Sequence, residues 1–426
     1  MRFQFSLPAA AAALLAVAPR LNQVLAADRK VFAHYMVGLT SGQTADQWAS
    51  DIAAAKAAGI DGFALNSGPS DSYTLTQLTL AYNAAAAAGN FVMFISFDMA
   101  CCGAWPVDQV SSFINSYKDH SAQYKVDGKP FVSTFEGPSF ADSWASVKAA
   151  TGPIYLVPDW SSLGPSGVAQ HLNIIDGAFS WDAWGTGFTP KTDDSDIAYQ
   201  QALGSGKSYM MPVSPWFYTN VPQWSKNWLW NTDTLWYDRW EQVMDIMPDF
   251  VEIISWNDYS ESHYIGDIRD SGVVDQAKWY VDGVPHTAWQ FVLPYYTAAY
   301  KAGTRDIAIP TEGAVFWYRA NYKDACSDGG TVVGPGGTAS AATAVEDAVF
   351  VFTLSNSATT VTVGIGGGSQ TFSVPKGAGF AKLPFNGRNG QVVVSINGKT
   401  GTGPVNVGSP CTDGKVNFNA VVGKTS

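Results

Sequence analysis

The segment from Val251 to His263 carries the residues best suited to chemistry. A run of β-branched residues, typical of a buried strand, gives way without a turn signal to acids, rings, an amide and an imidazole. Two of the acids, Asp258 and Glu261, are three residues apart. Paired carboxylates beside aromatic rings indicate acid and base catalysis on a sugar. The alternative interpretation is a loop whose acids are merely solvated.

The elements that position this segment are short apolar runs separated by amphipathic, alanine-rich stretches, from about residue 30 to about residue 303. This alternation predicts βα units, and eight of them predict a (β/α)8 barrel. The predicted strands are Val31–Val37, Gly62–Asn66, Phe91–Asp98, Phe131–Glu136, Ile154–Asp159, Gly177–Asp182, Tyr209–Ser214 and Val251–Asn257.

Helices are predicted between these strands, with only a short one in the fifth unit because glycine and proline interrupt residues 161–172. The predicted helices are Thr44–Ala58, Leu75–Ala88, Val107–Tyr124, Phe140–Ala150, Ile197–Leu203, Thr234–Met247 and Thr287–Ala302.

Most predicted strands end in a polar residue. In a barrel the carboxyl ends of all strands lie on one face, so we expect these side chains to meet at one mouth. An Asp or Asn in this place can also cap the next helix or form a turn. The residues concerned are Asn66, Asp98, Glu136, Asp159 and Asp182.

Aromatic and amide side chains accompany these acids, and rings commonly stack on the apolar faces of neutral sugars. We expect some of these rings to pack in the core instead, and His263 could equally have a structural role. The further candidates for substrate binding are His34, Tyr35, Trp216, Trp256, Asn257, Tyr259 and His263.

The composition favours a neutral ligand. Only 14% of the 426 residues are charged, there are 16 Trp and 18 Tyr, and the formal net charge is -11. Nucleic acid or an anionic membrane would require clustered Lys and Arg, so neither is an expected partner. We expect no metal or organic cofactor, and a monomer that acts on a polysaccharide.

Residues 1–26 predict a secretory signal peptide. Arg2 supplies the positive end, and residues 9–17 form an apolar core too short to span a bilayer. A membrane anchor is the weaker alternative because Pro19 and Arg20 interrupt the apolar stretch. We therefore expect a secreted protein, extracellular or in the cell wall.

Four cysteines allow three pairings if all are bridged. In an oxidising compartment the natural pair is Cys326 with Cys411. Cys101 and Cys102 are adjacent and either form a vicinal bridge or remain thiols. A metal or nucleophile role fits less well because no His lies at ligand spacing.

After about residue 303 the pattern changes to short strands separated by Gly, Asn, Pro and Ser turns, which predicts an all-β sandwich. We expect a barrel domain at residues 27–303 and an accessory domain at residues 304–426, with a flexible loop at residues 328–343. The strands predicted in the second domain are Ala314–Ala320, Ala344–Leu354, Thr360–Ile365, Gln370–Val374 and Gln391–Ile396.

Several motifs, taken together and in order, resemble glycoside hydrolase family 71, the fungal α-1,3-glucanases or mutanases. The motifs are Lys30–Gly38 (KVFAHYMVG), Gly59–Asn66 (GIDGFALN), Ser96–Met99 (SFDM) and Ser255–Tyr264 (SWNDYSESHY). The resemblance covers the barrel and implies hydrolysis of α-1,3-glucosidic bonds with inversion at the anomeric carbon.

The resemblance also implies the catalytic acids. The family's Asp and Glu three apart match Asp258 and Glu261, and a third essential Asp matches Asp98 or, less well, Asp61, which precedes its strand. We expect Glu261 to be the general acid, with its pKa raised by neighbouring carboxylates, and Asp258 to be the base. The two roles could be exchanged.

Two other functions fit the residues less closely. A non-catalytic carbohydrate-binding wall protein would not need the acid set, and a glycosidase for another linkage would share both the fold and the paired acids. Reducing ends released from α-1,3-glucan, starch and β-1,3-glucan would separate these possibilities.

Overall fold

The computed structural model describes residues 29–426. The larger part of the chain up to residue 253 alternates strands and helices. In chain order its main strands are β1 (Lys30–Met36), β2 (Gly62–Ser67), β3 (Val92–Asp98), β4 (Lys129–Phe135), β5 (Tyr155–Asp159), β6 (Gly177–Phe179), β7 (Ser208–Val213), β8 (Tyr218–Val221), β9 (Lys226–Leu229) and β10 (Phe250–Ile253).

Eight of these strands close into a parallel barrel, which confirms the (β/α)8 prediction. Pairing runs in chain order from β1 to β7, continues to β10, and returns to β1. β8 and β9 form an antiparallel hairpin outside the barrel wall, which the sequence analysis did not predict. The last barrel strand ends at Ile253, so residues 254–264 form a loop on the barrel mouth.

Helices cover the outside of the barrel, with bounds close to those predicted. The third helix ends early, at Tyr117, because the chain turns there and Gln123 and Tyr124 pack beside β3. Two predicted helices start later than expected, at Trp144 and Leu293, because 3-10 turns precede them. The helices are α1 (Ala45–Ala57), α2 (Thr74–Ala88), α3 (Val107–Tyr117), α4 (Trp144–Thr151), α5 (Gly164–Val168), α6 (Asp194–Leu203), α7 (Leu235–Ile246), α8 (Lys278–Val281) and α9 (Leu293–Ala302).

Side-chain alternation along the barrel strands separates two cores. Inside the barrel, Phe32, Phe94, Phe131 and Phe250 pack against one another. The alternate residues point outward and pack under the helices. A side chain therefore reaches the mouth from within the barrel only if it has the inward parity of its strand.

Residues 313–424 form two antiparallel four-stranded sheets, as predicted for a sandwich. The strands are β11 (Gly313–Tyr318), β12 (Ala348–Ser355), β13 (Thr359–Ile365), β14 (Gly368–Val374), β15 (Gly377–Pro384), β16 (Val392–Ile396), β17 (Lys399–Thr402) and β18 (Val421–Lys424). The strand orders of the two sheets are β15-β12-β11-β18 and β14-β13-β16-β17, with an apolar core between the sheets.

The loop at residues 328–343 is less free than its composition predicts. Val332 and Val333 pair in parallel with β9 and extend the hairpin sheet.

The division into domains at residues 303 and 304 stays a prediction. The predicted leader at residues 1–26 lies outside the described residues, and within residues 29–426 no helix is long and apolar enough to cross a membrane.

A buried ion pair joins the two parts of the chain. Arg319, just after β11, lies 2.7 Å from Asp233, which precedes α7. The other oxygen of Asp233 accepts a hydrogen bond from the Glu346 amide, and its carbonyl accepts one from the Trp317 indole. The sheets are thus joined to the barrel by polar contacts as well as by apolar packing.

Replacing Asp233 tests this junction. Asp233→Ala leaves Arg319 buried without its partner, so we expect the free energy of unfolding to fall by about 3 to 5 kcal/mol. Urea unfolding measures the change. The control Lys382→Ala removes the exposed ion pair with Glu346, and its expected cost is at most about 1 kcal/mol. Equal losses in the two variants would contradict the proposed importance of the buried pair.

Candidate active site

The barrel mouth opens into a cleft of about 590 Å³. The carboxyl ends of β1, β2 and β3 form one side, and the loop after β10 forms another. Five of the residues predicted from the sequence meet here, and Trp181 lies beside them. The predicted residues that line the cleft are His34, Asn66, Asp98, Asp258 and Glu261.

The acid pair lies on a tight loop rather than on a helix. One oxygen of Asp258 accepts hydrogen bonds from the Glu261 amide at 3.1 Å and the Ser260 hydroxyl at 2.9 Å. The Asp258 amide in turn donates to the Ser255 hydroxyl. These bonds fix the turn, so the two carboxyl groups face the same cleft, with oxygens within 4.8 Å of each other.

Glu261 is held between two basic groups. Lys226 Nζ lies 2.5 Å from one carboxylate oxygen, and His263 Nε2 lies 3.0 Å from the other. Burial alone would raise the pKa of Glu261, but Lys226 and His263 together outweigh it and lower the pKa. The expectation that neighbouring carboxylates raise this pKa is therefore wrong. The error arose because Lys226 is distant in the sequence.

Asp98 ends β3 with its side chain in the cleft. Burial raises its pKa, against the effect of hydrogen bonds from the Ala100 and Cys101 amides. Asp61, the alternative match, lies before β2, where it binds the Val31 amide and Lys301. The barrel's inner geometry thus brings Asp98, and not Asp61, to the acid pair.

The structure contains the predicted Cys326–Cys411 disulfide and, of the two alternatives for the adjacent cysteines, the bridge. Cys101 and Cys102 form a vicinal bridge that lines the cleft directly after Asp98. The second bridge joins Cys326 to Cys411. The vicinal pair therefore belongs to the wall of the site.

Several residues predicted to bind substrate lie behind the cleft wall instead. Tyr35 follows the inward-facing His34, so alternation points it outward, where it donates to Asp51 at 2.7 Å. Trp216 is buried beneath Arg319 and donates to the Phe418 carbonyl. Neither Tyr35 nor Trp216 lines the cleft, so we do not assign them a contact with substrate.

Three residues of the last loop also serve packing and loop geometry. Asn257 accepts from the Met36 amide at 2.7 Å and donates to its carbonyl at 3.1 Å. Trp256 packs on Phe63 beneath the barrel surface. The hydroxyl of Tyr259 donates to the Asp267 carbonyl. They shape the loop that carries the acids rather than reach into the cleft.

The remaining predicted acids lie at different depths. Glu136 accepts hydrogen bonds from Ser162 and stays near the surface. Asp159 is fully buried beneath the mouth and binds Ser161. Asp182 pairs with Lys191 at 2.7 Å, at the edge of a neighbouring aromatic pocket. These three acids do not line the cleft that contains the acid pair.

That aromatic pocket, of about 330 Å³, continues the cleft past Glu261. Both cavities are bordered by Glu261 and Lys226, so Glu261 lies between them rather than at a closed end. The rings lining the pocket are Phe135, Trp181, Trp184, Phe217, Trp228 and Trp230.

The sequence analysis missed the hairpin β8–β9, which forms a wall of the cleft. Its tip carries Trp224, 48% exposed and lining the cleft, and Lys226, which pairs with Glu261. A signal was present, since Trp224, Lys226 and Trp228 alternate along a short segment.

One oxygen each from Asp258 and Glu261 and one His263 nitrogen lie within 4.8 Å of one another, a possible metal-donor set. Lys226 already neutralises Glu261, and the other nitrogen of His263 lies 2.9 Å from the Ser255 hydroxyl. The donors are therefore engaged with groups of the chain itself, and we assign no metal to them.

A family model for glycosyl hydrolase family 71 matches residues 27–426. The chain belongs to this family. The resemblance noted in the sequence is therefore confirmed, and the acid-lined barrel mouth is the candidate active site of a glycoside hydrolase.

Curated relatives of this family 71 hydrolase match it along most of their length. A glucan endo-1,3-alpha-glucosidase of Schizosaccharomyces pombe is 38% identical over 415 residues, 93% of this chain and 95% of the relative. A mutanase of Penicillium rubens is 37% identical over 433 residues, 96% of this chain and 92% of the relative. An ascus wall endo-1,3-alpha-glucanase of Schizosaccharomyces pombe is 29% identical over 417 residues, 89% of this chain and 93% of the relative.

Among solved structures, a GH99 endo-alpha-mannosidase of Bacteroides thetaiotaomicron has a similar fold. The TM-score is 0.50 at 14% identity, over 64% of this chain and 98% of the other. At this identity the likeness supports the fold of the family 71 hydrolase alone.

Replacing Lys226 tests the charge state of Glu261. Lys226→Met removes the ammonium group but leaves the burial that raises the Glu261 pKa. If Glu261 must be ionised to act, the acidic limb of the kcat/KM profile should move to higher pH, by about 1 to 3 pH units.

The control for this experiment is Lys278→Met, which removes an exposed lysine paired with Asp275 and should leave the profile unchanged. An alkaline limb that moves while the acidic limb stays fixed would show that Glu261 acts in its protonated form.

Proposed function

We propose that this hydrolase cleaves α-1,3-glucosidic bonds of a glucan, with Asp258 and Glu261 as the acid and base. The observation that carries the proposal is the convergence of these two buried carboxyl groups on one cleft at the barrel mouth. The names of the relatives, a glucan endo-1,3-alpha-glucosidase and a mutanase, support the linkage.

The charges in the cleft favour one division of roles. Glu261 is kept ionised by Lys226 and His263, and an ionised carboxylate can take a proton from water. We therefore assign the general base to Glu261 and the general acid to Asp258, the reverse of the first expectation. Asp98 supplies a third carboxyl group in the same cleft.

The cleft suits a neutral polymer. Cavities lie on both sides of Glu261, one lined by rings, so a glucan chain could extend past the acids in both directions. Ring faces bind the apolar faces of sugars without requiring charge. This arrangement supports a polysaccharide substrate rather than a small charged molecule.

The C-terminal residues 304–426 act, in this proposal, as an accessory domain that supports the cleft wall. Val332 and Val333 pair with β9, and Phe418 accepts from Trp216 just before β8. The signal-like residues 1–26 and the wall-associated name of one relative support secretion to the extracellular space or cell wall. We expect a monomer that needs no cofactor, nucleic acid or membrane.

The substrate and the acids are tested together. The purified protein should release reducing ends from α-1,3-glucan and not from starch or β-1,3-glucan. Asp258→Asn and Glu261→Gln should each reduce this release by at least about 1,000-fold while polysaccharide binding persists, because the amides cannot transfer the proton.

A chemical control separates the two roles. An α-glucosyl fluoride carries a leaving group that needs little protonation, so Asp258→Asn should retain most of its hydrolysis and Glu261→Gln should not. Wild-type turnover of starch or β-1,3-glucan alone would contradict the linkage. Retained turnover of α-1,3-glucan by either variant would remove that residue from the mechanism.

Inversion is the second part of the mechanism that we propose, and the family resemblance supports it. Inverting acid pairs lie roughly 6.5–9.5 Å apart, whereas oxygens of Asp258 and Glu261 approach within 4.8 Å. Inversion therefore requires the two carboxyl groups to move apart when substrate and water bind.

Proton NMR during hydrolysis tests the stereochemistry. The first reducing ends released from an α-1,3-linked oligosaccharide should be the β anomer, with the α anomer appearing only as mutarotation proceeds. If the α anomer appears first, the enzyme retains configuration, as the close approach of the two acids would permit.

A further inference from the structure

A polar pair lies inside the barrel, with His34 bordering the cleft and Glu252 one layer beneath it. His34 on β1 and Glu252 on β10 are inward-facing residues of neighbouring strands, above a layer of phenylalanines that includes Phe32 and Phe250. Both side chains are almost fully buried. Nothing in the sequence analysis singled out Glu252, because it lies in the middle of an apolar strand.

The pair fixes one side of the imidazole. His34 Nδ1 lies 2.6 Å from a Glu252 oxygen, and the Trp181 ring meets the imidazole edge-on with centroids 4.8 Å apart. His34 also lines the cleft. Its other nitrogen, Nε2, makes no hydrogen bond with any residue in the range 29–426. The ring is therefore held at Nδ1 and by Trp181, while Nε2 is buried and without a partner among residues 29–426, on a side chain that borders the cleft.

The charge balance of the pair decides what Nε2 can do. A buried acid and base are least costly with no net charge. The pair has no net charge when it holds two protons in total. The two possible forms are a carboxylate beside an imidazolium and a carboxylic acid beside a neutral imidazole that accepts at Nδ1. In both forms Nε2 carries a proton. Two further acids face the pair: Asp98, which borders the cleft, and Asp159, which lies beneath it. Burial raises the pKa of both carboxyl groups, that of Asp159 to about 8.

We propose that Glu252 is a positioning residue that aims the Nε2–H of His34 into the cleft, where it donates to a hydroxyl oxygen of the glucose unit bound against the acid pair. The inference rests on the proposed function and extends it. It adds a specific hydrogen bond to sugar, and a residue one layer deeper that directs it.

A stability role alone does not account for the pair. A buried ion pair contributes little more to stability than apolar residues of the same volume would. The second oxygen of Glu252 has no hydrogen-bond partner among the described residues, which adds to the cost of burying this carboxyl group. A role in substrate binding accounts for this costly arrangement, because Glu252 fixes the orientation of the His34 imidazole.

A double-mutant cycle on the full-length enzyme tests the proposal, with a soluble α-1,3-linked glucose oligosaccharide as the substrate. Glu252→Gln and His34→Ala should each lower kcat/KM by about 10- to 100-fold, the range expected for a lost hydrogen bond to a charged or well-oriented group. Because Glu252 acts through His34, the double variant should lose no more than His34→Ala. His34→Gln, whose amide can place a donor near the position of Nε2, should recover part of the loss.

The matched control is Asp196→Asn. Asp196 forms another buried ion pair, with Arg239, outside the barrel and away from the cleft. This change should lower the melting temperature while leaving kcat/KM of the folded enzyme unchanged. The contrast between the two pairs separates loss of positioning from loss of stability.

Four outcomes would overturn the inference. They are unchanged kcat/KM in Glu252→Gln, fully additive losses in the double variant, equal activity of His34→Ala and His34→Gln, and an equal loss in Asp196→Asn. If Glu252→Gln does not fold, the contrast between His34→Ala and His34→Gln still decides. A wild-type enzyme that hydrolyses none of the α-1,3-linked substrates would instead overturn the proposed function, and this inference with it.

Discussion

The pairing of β1 with β10 is the constraint on which the site depends. Backbone hydrogen bonds of the β-ladder join Lys30–Ala33 to Phe250–Ile253. Beyond the ladder, the side-chain amide of Asn257 forms hydrogen bonds with the backbone N–H and C=O of Met36. These contacts join residues more than 200 positions apart. They set the height of the loop that carries the acids and bring His34 beside Glu252. The same pairing of β1 with β10 therefore closes the barrel and positions the catalytic loop.

Much of the fold could be predicted because it follows from local patterns. The eight barrel strands lie near the predicted positions, and Asp98, Asp258 and Glu261 meet in one cleft. Parity explains the errors: Tyr35 follows His34 and must face the opposite way. Strand ends give the face of the barrel on which a side chain lies, but they do not say whether it points into the cleft.

The rest of the site depends on contacts that sequence spacing does not contain. Lys226 reaches Glu261 across 35 residues and reverses the expected direction of its pKa shift. Glu252 looks like one polar residue in an apolar strand until β1 places an imidazole beside it. In both cases the role of a carboxyl group depends on a basic partner that only the tertiary fold brings into contact with it.

The sandwich has a consequence for how this enzyme can be divided or recombined. Val332 and Val333 hold the strand that begins with Lys226, and Arg319 covers Trp216 next to the same hairpin. The proposed catalytic acids all belong to the barrel. The hairpin that forms one wall of their cleft, however, is supported by chain segments more than 80 residues further on. An exchange of modules that cuts between barrel and sandwich would remove the segments that support the hairpin wall, whose Lys226 pairs with Glu261.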